Sequence, residues 1–173
     1  MSVSRVVACG RVLSALSVVA LACAALAACG SSSAGTGTGN GSGLCGNLSQ
    51  VDGLVVQRVN PIPQNHLHFT FPAKATVSDQ AEAQAVARAV CALPVMPSGN
   101  ISCPGDTGIM YRLTFTAGGQ KLPAVDVKAS GCGQVSGLGQ TRWTARSPGF
   151  WRTLGVATGI AHPDQSAFGG YRN

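Results

Sequence analysis

Apolar and polar positions alternate along several stretches of the chain, and a period of two is typical of β-strands with one buried face. The predicted strands cover residues 54–59, 66–71, 109–116 and 122–128, with a further short pair at 131–135 and 141–144. The positions expected to face inward are Leu67, Phe69, Phe71, Ile109, Tyr111, Leu113 and Phe115. A turn at 117–120 makes the third and fourth strands a long hairpin.

Two segments instead repeat their apolar residues at helical spacing. Residues 79–82 (Asp-Gln-Ala-Glu) fit a capping box, and the apolar positions after them predict a helix that ends before Pro94. Ser147 and Pro148 predict the start of a second helix, which extends to Gly159. The order of strands, helix, hairpin and helix predicts an α+β fold, with two helices packed on one side of an antiparallel sheet.

The first 28 residues have the pattern of a leader that is removed. Arg5 and Arg11 are followed by an apolar run of about fifteen residues, shorter than the roughly 20 that span a bilayer. The run ends in Leu-Ala-Ala-Cys at residues 26–29, which resembles the lipobox of bacterial lipoproteins. The resemblance implies cleavage before Cys29 and a diacylglycerol thioether, with palmitate-type acyl chains, on its sulfur. The alternative is an ordinary secretory leader cleaved near Ala28.

Residues 30–43 contain only Gly, Ser, Thr, Ala and Asn and carry no charge. Such a stretch cannot form a core, so we expect 29–43 to be a lipidated cysteine and a flexible tether with a reach of roughly 20 Å. A single domain is expected over 44–160 and a flexible tail over 161–173. Together these segments predict a protein held on the outer face of the cell membrane through acylated Cys29.

Composition narrows the function classes. Hydrophobic residues make up 45% of the 173 positions, which excludes a disordered chain. The net charge is +6, and loss of Arg5 and Arg11 with the leader leaves ten basic and six acidic residues. A balance of +4, spread along the chain, does not indicate a nucleic-acid partner.

Four cysteines remain after Cys9 and Cys23 leave with the leader and Cys29 is acylated, namely Cys45, Cys91, Cys103 and Cys132. An even number in an exported domain indicates disulfides. The midpoint of 103 and 132 falls on the hairpin turn, so these two are expected to pair at its open end. Cys45–Cys91 follows by elimination. Zinc is the competing interpretation, but no two of the four have C-x₂-C spacing and no histidine lies near them in sequence.

The segment 142–152 concentrates arginine and both tryptophans. Its candidate ligand-binding residues are Arg142, Trp143, Arg146, Trp151 and Arg152. They predict a patch for anionic lipid head groups, acidic wall polymer or glycan, with stacking on the indoles. In the alternative interpretation the tryptophans are core anchors and the arginines solvate the rim.

Three further observations concern metal binding and catalysis. His66 and His68 share the outward face of a predicted strand and would hold Zn²⁺ or Cu²⁺ only if a carboxylate joined them. Asp106, in a Pro/Gly loop, is interpreted as a turn residue rather than a catalytic acid. No nucleophile elbow, phosphate loop or nucleotide fingerprint is present, so we predict no cofactor, no metal and no catalysis.

Two resemblances carry further expectations. The anchor, the tether and a small disulfide domain, in a chain with three lysines against nine arginines, look like the small lipoproteins of actinobacteria. Cys91 to Cys132 is similar in order to subtilisin-inhibitor-like proteins: a helix with a cysteine, Cys-Pro, a strand with tyrosine, a hairpin and a closing cysteine. That likeness implies that Gly105, directly after Cys-Pro, is presented to a protease.

The leading hypothesis is therefore a non-catalytic domain that binds an unknown ligand at the cell envelope, such as an anionic polymer or another envelope protein. The alternative is a protease inhibitor acting through the loop at 104–108. A third hypothesis, an enzyme with a dispersed site, predicts a deep polar cleft at Asp106 or at the histidine pair.

Overall fold

A computed structural model describes residues 43–62 and 66–172. The leader, Cys29 and all but the last residue of the tether lie outside the described residues. The helices are α1 (Gly43–Gly46), α2 (Gln80–Cys91), α3 (Pro148–Ala157) and α4 (Ser166–Gly169), with a 3-10 turn at Leu48–Gln50. The strands are β1 (Val51–Val59), β2 (Lys74–Val77), β3 (Met110–Ala117), β4 (Gln120–Lys121), β5 (Val125–Lys128), β6 (Gln134–Ser136) and β7 (Arg142–Trp143).

The strands form one antiparallel sheet in the order β2-β1-β3-β5-β6-β7, with β4 paired to the end of β3. The α+β prediction is confirmed. The hairpin turns at Gly118 and Gly119, which both have positive φ, as a two-residue turn between twisted strands requires. All four residues predicted to face inward along the first strand of the hairpin are fully buried, although the first of them, Ile109, directly precedes β3.

Both predicted disulfides are present, Cys45–Cys91 and Cys103–Cys132. The symmetry of the hairpin predicted the correct cysteine pairs, although the observed strand register differs from the predicted one. Met110 lies opposite Lys128. If that register continued past the ends of the strands, residue 106 and not Cys103 would lie opposite Cys132. The strands end at Met110 and Lys128, and the irregular chain beyond them brings the two sulfurs together.

Helices α2 and α3 pack against each other and supply the apolar layer that covers the sheet. The N-cap of the predicted capping box is confirmed, because the Asp79 carboxylate accepts a hydrogen bond from the Glu82 N–H at 2.9 Å. Helix α3 begins at Pro148 as predicted, but the Ser147 side chain forms no capping hydrogen bond. The buried face of α2 is Ala83, Val86, Ala87 and Val90, and that of α3 is Phe150, Trp151, Leu154 and Gly155.

The strand predicted at 66–71 is wrong. The alternation correctly placed Phe71 inside and His68 outside, but this segment pairs only through a bridge between His68 and Tyr171. The strand that pairs with this edge of β1 is instead β2, at 74–77.

The flexible tail predicted after residue 160 also differs from the structure. In what we call the C-terminal segment (residues 161–172), the Phe168 side chain is fully buried and its carbonyl accepts a hydrogen bond from the Tyr111 hydroxyl at 2.8 Å. The aromatic rings of Phe71, Tyr111, Trp151 and Phe168 pack together with centroids 4.9–6.4 Å apart. The folded part of the chain therefore continues to Tyr171.

Candidate functional site

The two tryptophans of the segment 142–152 are core residues. Trp151 is fully buried, and Trp143 is only 9% exposed. The Trp151 ring lies 4.9 Å from that of Phe168 and 5.1 Å from that of Phe150. Stacking of a ligand on both indoles, as the patch hypothesis requires, is not possible in this structure.

The three arginines of the segment are dispersed as well. The Arg142 guanidinium donates a hydrogen bond to the Leu93 carbonyl, just beyond the end of α2. Arg152 lines a small hollow with Glu82, near the start of α2. At 1.5 Å per helical residue these ends are about 15 Å apart. Arg146 is exposed, with its guanidinium carbon 5.6 Å from the centre of the Trp143 ring. The structure thus supports the alternative in which the tryptophans anchor the core, with Arg146 and Arg152 exposed at its rim and Arg142 partly buried.

The histidine pair is exposed but not joined by a carboxylate. His68 packs its ring 5.8 Å from that of Tyr171. Within 43–62 and 66–172, no group of three or more His, Cys, Asp or Glu side chains could hold a metal ion.

The best-defined polar cluster surrounds residues 103–108, which we call the Cys-Pro loop. Pro104 and Gly105 are exposed at its tip, and the chain there has no regular secondary structure. The Cys103–Cys132 disulfide fixes the loop on one side. On the other side Ile109, fully buried, attaches it to the core.

The Asp106 carboxylate holds the loop against the hairpin. One oxygen accepts hydrogen bonds from the Gly108 N–H at 2.8 Å and the Ser130 hydroxyl at 2.7 Å, and the other binds the Lys128 ammonium at 3.0 Å. The Ser130 oxygen in turn accepts from the Thr107 N–H at 2.9 Å. The Gly108 and Ser130 hydrogen bonds and the Lys128 ammonium lower the pKa of Asp106 to about 2. Asp106 is therefore a turn residue, as its sequence context predicted.

Gly105 itself is unconstrained by neighbours. No heavy atom lies within 4 Å of the position a Cβ would take, and its φ lies outside the left-handed region. The base of the loop is closely packed, since a Cβ on Gly108 would lie 3.0 Å from the Ile62 side chain. The geometry is that of a supported loop with an open tip.

Ser130 and Lys128 were not among the residues selected from the sequence. The sequence could have indicated them, because the predicted disulfide places residues 104–107 beside 128–131 and so brings the acidic Asp106 near the basic Lys128.

Comparison with protein-family models, with curated proteins and with solved structures gives no match for this chain. None of the helices in the described part of the chain has both the length and the apolar composition needed to cross a bilayer.

Proposed function

We propose that this chain is an exported, lipid-anchored domain that binds a protein partner of the cell envelope through the Cys-Pro loop and performs no catalysis of its own. The observation that carries the proposal is the way this loop is held. Its tip, Pro104 and Gly105, is exposed, while its flanks are fixed by a disulfide and by the Asp106 carboxylate.

The energetic argument concerns ordering. A loop that becomes ordered only on binding loses about 0.5–1.5 kcal/mol for each flexible side chain that is immobilised. The Cys-Pro loop avoids most of this cost because Asp106, Thr107 and Ser130 already bond to one another in the free protein. The same bonds leave the Asp106 carboxylate engaged, so it is not positioned as a free acid or base.

Export is supported by the sequence and by the disulfides. Disulfides persist in oxidising compartments, and both pairs close on cysteines that follow the leader and the lipobox. The uncharged tether between Cys29 and α1 would let the domain move over roughly 20 Å while it remains on the membrane.

The first test is photocrosslinking in intact cells. A photoreactive amino acid at position 105 is expected to give a discrete adduct with an envelope protein. The matched control places the same amino acid at Gly149, another exposed glycine with open space around it and an ordinary φ. If positions 105 and 149 give the same adducts, or neither gives any, the Cys-Pro loop is not the binding surface.

Protease inhibition is the second candidate function, and the exposed chain directly after Cys-Pro favours it. A protease cleft binds an extended segment, and an inhibitor resists cleavage when its loop is held in place from within. Gly105 offers no side chain to a specificity pocket, so the natural protease is expected to accept glycine at this position or to recognise its neighbours.

Side-chain replacement at Gly105 makes inhibition testable without knowledge of the natural protease. Gly105→Leu and Gly105→Lys should fold normally, because the space is open. We expect the Leu variant to inhibit a subtilisin-like protease and the Lys variant a trypsin-like one, while Gly149→Leu and Gly149→Lys inhibit neither. If both proteases keep their full activity when the Gly105 variants are present in excess, inhibition is excluded. The binding proposal then depends on the crosslinking result alone.

A further inference from the structure

A hollow of about 540 Å³ lies on the surface between the C-terminal segment and the end of the sheet. Its lining includes Thr70, Ala129, Ile160, His162, Asp164, Gln165 and Tyr171. Volumes of 300–1,000 Å³ are typical of sites that bind small molecules. None of the residues selected from the sequence as ligand-binding lies in it.

The hollow is formed before any ligand arrives. Phe168 anchors the middle of the C-terminal segment in the core. The Tyr171 backbone forms two hydrogen bonds with that of His68, at 2.8 and 2.9 Å. The Gln165 side-chain amide donates to the Ala129 carbonyl at 3.2 Å, which ties the wall of the hollow to the end of β5. Preformed walls reduce the ordering cost of binding.

The lining combines an aromatic ring with hydrogen-bond acceptors. Tyr171 lines the hollow and is 54% exposed, and its ring lies 5.8 Å from that of His68. Asp164 uses Oδ1 to accept hydrogen bonds from Ser166 and Ala167, whereas its Oδ2 accepts none from any described residue. The Gln165 amide oxygen likewise accepts no hydrogen bond within the described part of the chain. Ile160 and Ala129 supply apolar wall beside these groups.

From these contacts we infer that the hollow is a saccharide-binding site, with Tyr171 as the stacking platform and Asp164 and Gln165 as acceptors for sugar hydroxyls. A pyranose or furanose ring has an apolar face of C–H groups and an edge of hydroxyls, and the hollow offers a partner for each. Its size accommodates one or two sugar units. The Cys-Pro loop contributes nothing to this site, so the inference stands independently of the proposed function.

Charge argues against the other ligand classes. No Lys or Arg is present among the described residues that line the hollow, which leaves the His162 imidazole as the candidate partner for an anionic ligand, and the negatively charged Asp164 lines the same hollow. An ammonium ligand would rely on Asp164, which is exposed, so solvent weakens its ion pairs. A neutral polyhydroxylated ligand needs no ion pair, and it can form several hydrogen bonds with the lining at once.

The test is saturation-transfer NMR on the mature protein in detergent micelles. The probes are glucose, galactose, mannose, arabinose and N-acetylglucosamine, together with disaccharides of each, at about 10 mM, where weak binding in the millimolar range is detected. We expect at least one saccharide to receive magnetisation through its C–H groups. Choline and inorganic phosphate, tested in parallel, are expected to give no signal.

Variants assign the signal to the hollow. Tyr171→Ala should weaken binding by about tenfold or more, while Tyr171→Phe, which keeps the ring, should bind as the unchanged protein does. Asp164→Asn should also weaken it, because an amide is a poorer acceptor for hydroxyls than a carboxylate. Arg172→Ala is the control, and equal thermal midpoints verify folding. The inference is overturned if no saccharide binds, if only choline or phosphate binds, or if saccharide binding survives both Tyr171→Ala and Asp164→Asn.

Discussion

Asp106 shows at the scale of one residue how a carboxylate can fix an exposed loop. Its pKa falls from an ordinary 3.8 to about 2, first because the Gly108 N–H and the Ser130 hydroxyl bond to the ionised form. A carboxyl whose pKa is lower in the folded protein stabilises the fold above its unfolded pKa. That stabilisation is lost as the pH falls from about 4 to about 2.

We therefore predict that Asp106→Asn lowers the free energy of unfolding at pH 7 by about 1 kcal/mol. This figure is well below the full value of the pKa shift, because the side chain is 38% exposed and solvent screens its ion pair with Lys128. Urea unfolding of both proteins at several pH values provides the measurement. The two free energies should converge near pH 2, and a difference that does not depend on pH would contradict the explanation.

Trp151 shows at the same scale what sequence cannot decide. An aromatic residue beside arginines is compatible with a ligand platform and with a core anchor, because the same helix face can point either way. The burial of Trp151 depends on Phe168, which lies seventeen positions later in a stretch whose polar and small residues suggested a frayed tail. Two aromatic residues, Phe168 and Tyr171, are too few in a short polar stretch to define a period, so this contact could not be predicted.

Phe168 gives the second prediction, at the scale of the element it anchors. Removing a fully buried aromatic side chain leaves a cavity and typically costs 3–5 kcal/mol, so Phe168→Ala should lower the free energy of unfolding by about 3 kcal/mol or more. It should also release the C-terminal segment to proteolysis. Arg172→Ala, an exposed change in the same segment, should stay within about 0.5 kcal/mol. Equal stability of the two variants would mean that the segment is not part of the fold.

The strands show which elements sequence can predict. The alternation at 109–116 has four apolar residues on one face, and that face is buried as predicted. Residues 66–71 alternate equally well, but pairing depends on a neighbouring strand, and β2 takes that place with only Val77 buried among its four residues. Alternation reports which side of a segment is buried, and it does not report what the backbone pairs with.

The two disulfides are expected to differ in what they hold. In the chain-entropy model, loops with sequence separations of 46 and 29 give similar stabilisation, about 4 kcal/mol each. Locally they differ, because Cys45–Cys91 ties buried Leu44 and α1 to the end of α2, whereas Cys103–Cys132 holds the exposed Cys-Pro loop.

The third prediction follows from this difference. Replacing Cys103 and Cys132 with alanine should open a protease-sensitive site at 101–108, while replacing Cys45 and Cys91 should first expose residues 43–50. Limited proteolysis with mass spectrometry maps the cuts, and urea unfolding compares the two losses of stability. First cuts at the same positions in both double variants would show that neither bridge controls a local element.

At the scale of the whole molecule, the proposed anchor would determine where the proposed binding surfaces act. Two buried acyl chains hold a protein firmly on a bilayer, at about 0.8 kcal/mol for each CH₂ group. The proposal assigns this anchor to Cys29, which the lipobox resemblance favours over Cys23, since the apolar residue before Cys23 stands one place too close to it. The domain on the tether would then meet partners confined to the same surface, where even weak binding is effective because the local concentration is high.

The fourth prediction tests that assignment. Cells expressing the protein and fed an alkyne analogue of palmitate should label it, and Cys29→Ser should remove the label and the mass of the diacylglycerol group. Cys23→Ser is the matched control and should label normally, because that sulfur leaves with the leader. Intact mass before and after reduction should also show two disulfides in the mature protein, whose chain begins at Cys29. Labelling that persists in Cys29→Ser, or a mature chain that begins elsewhere, would remove the anchor and with it the confinement on which weak partner binding relies.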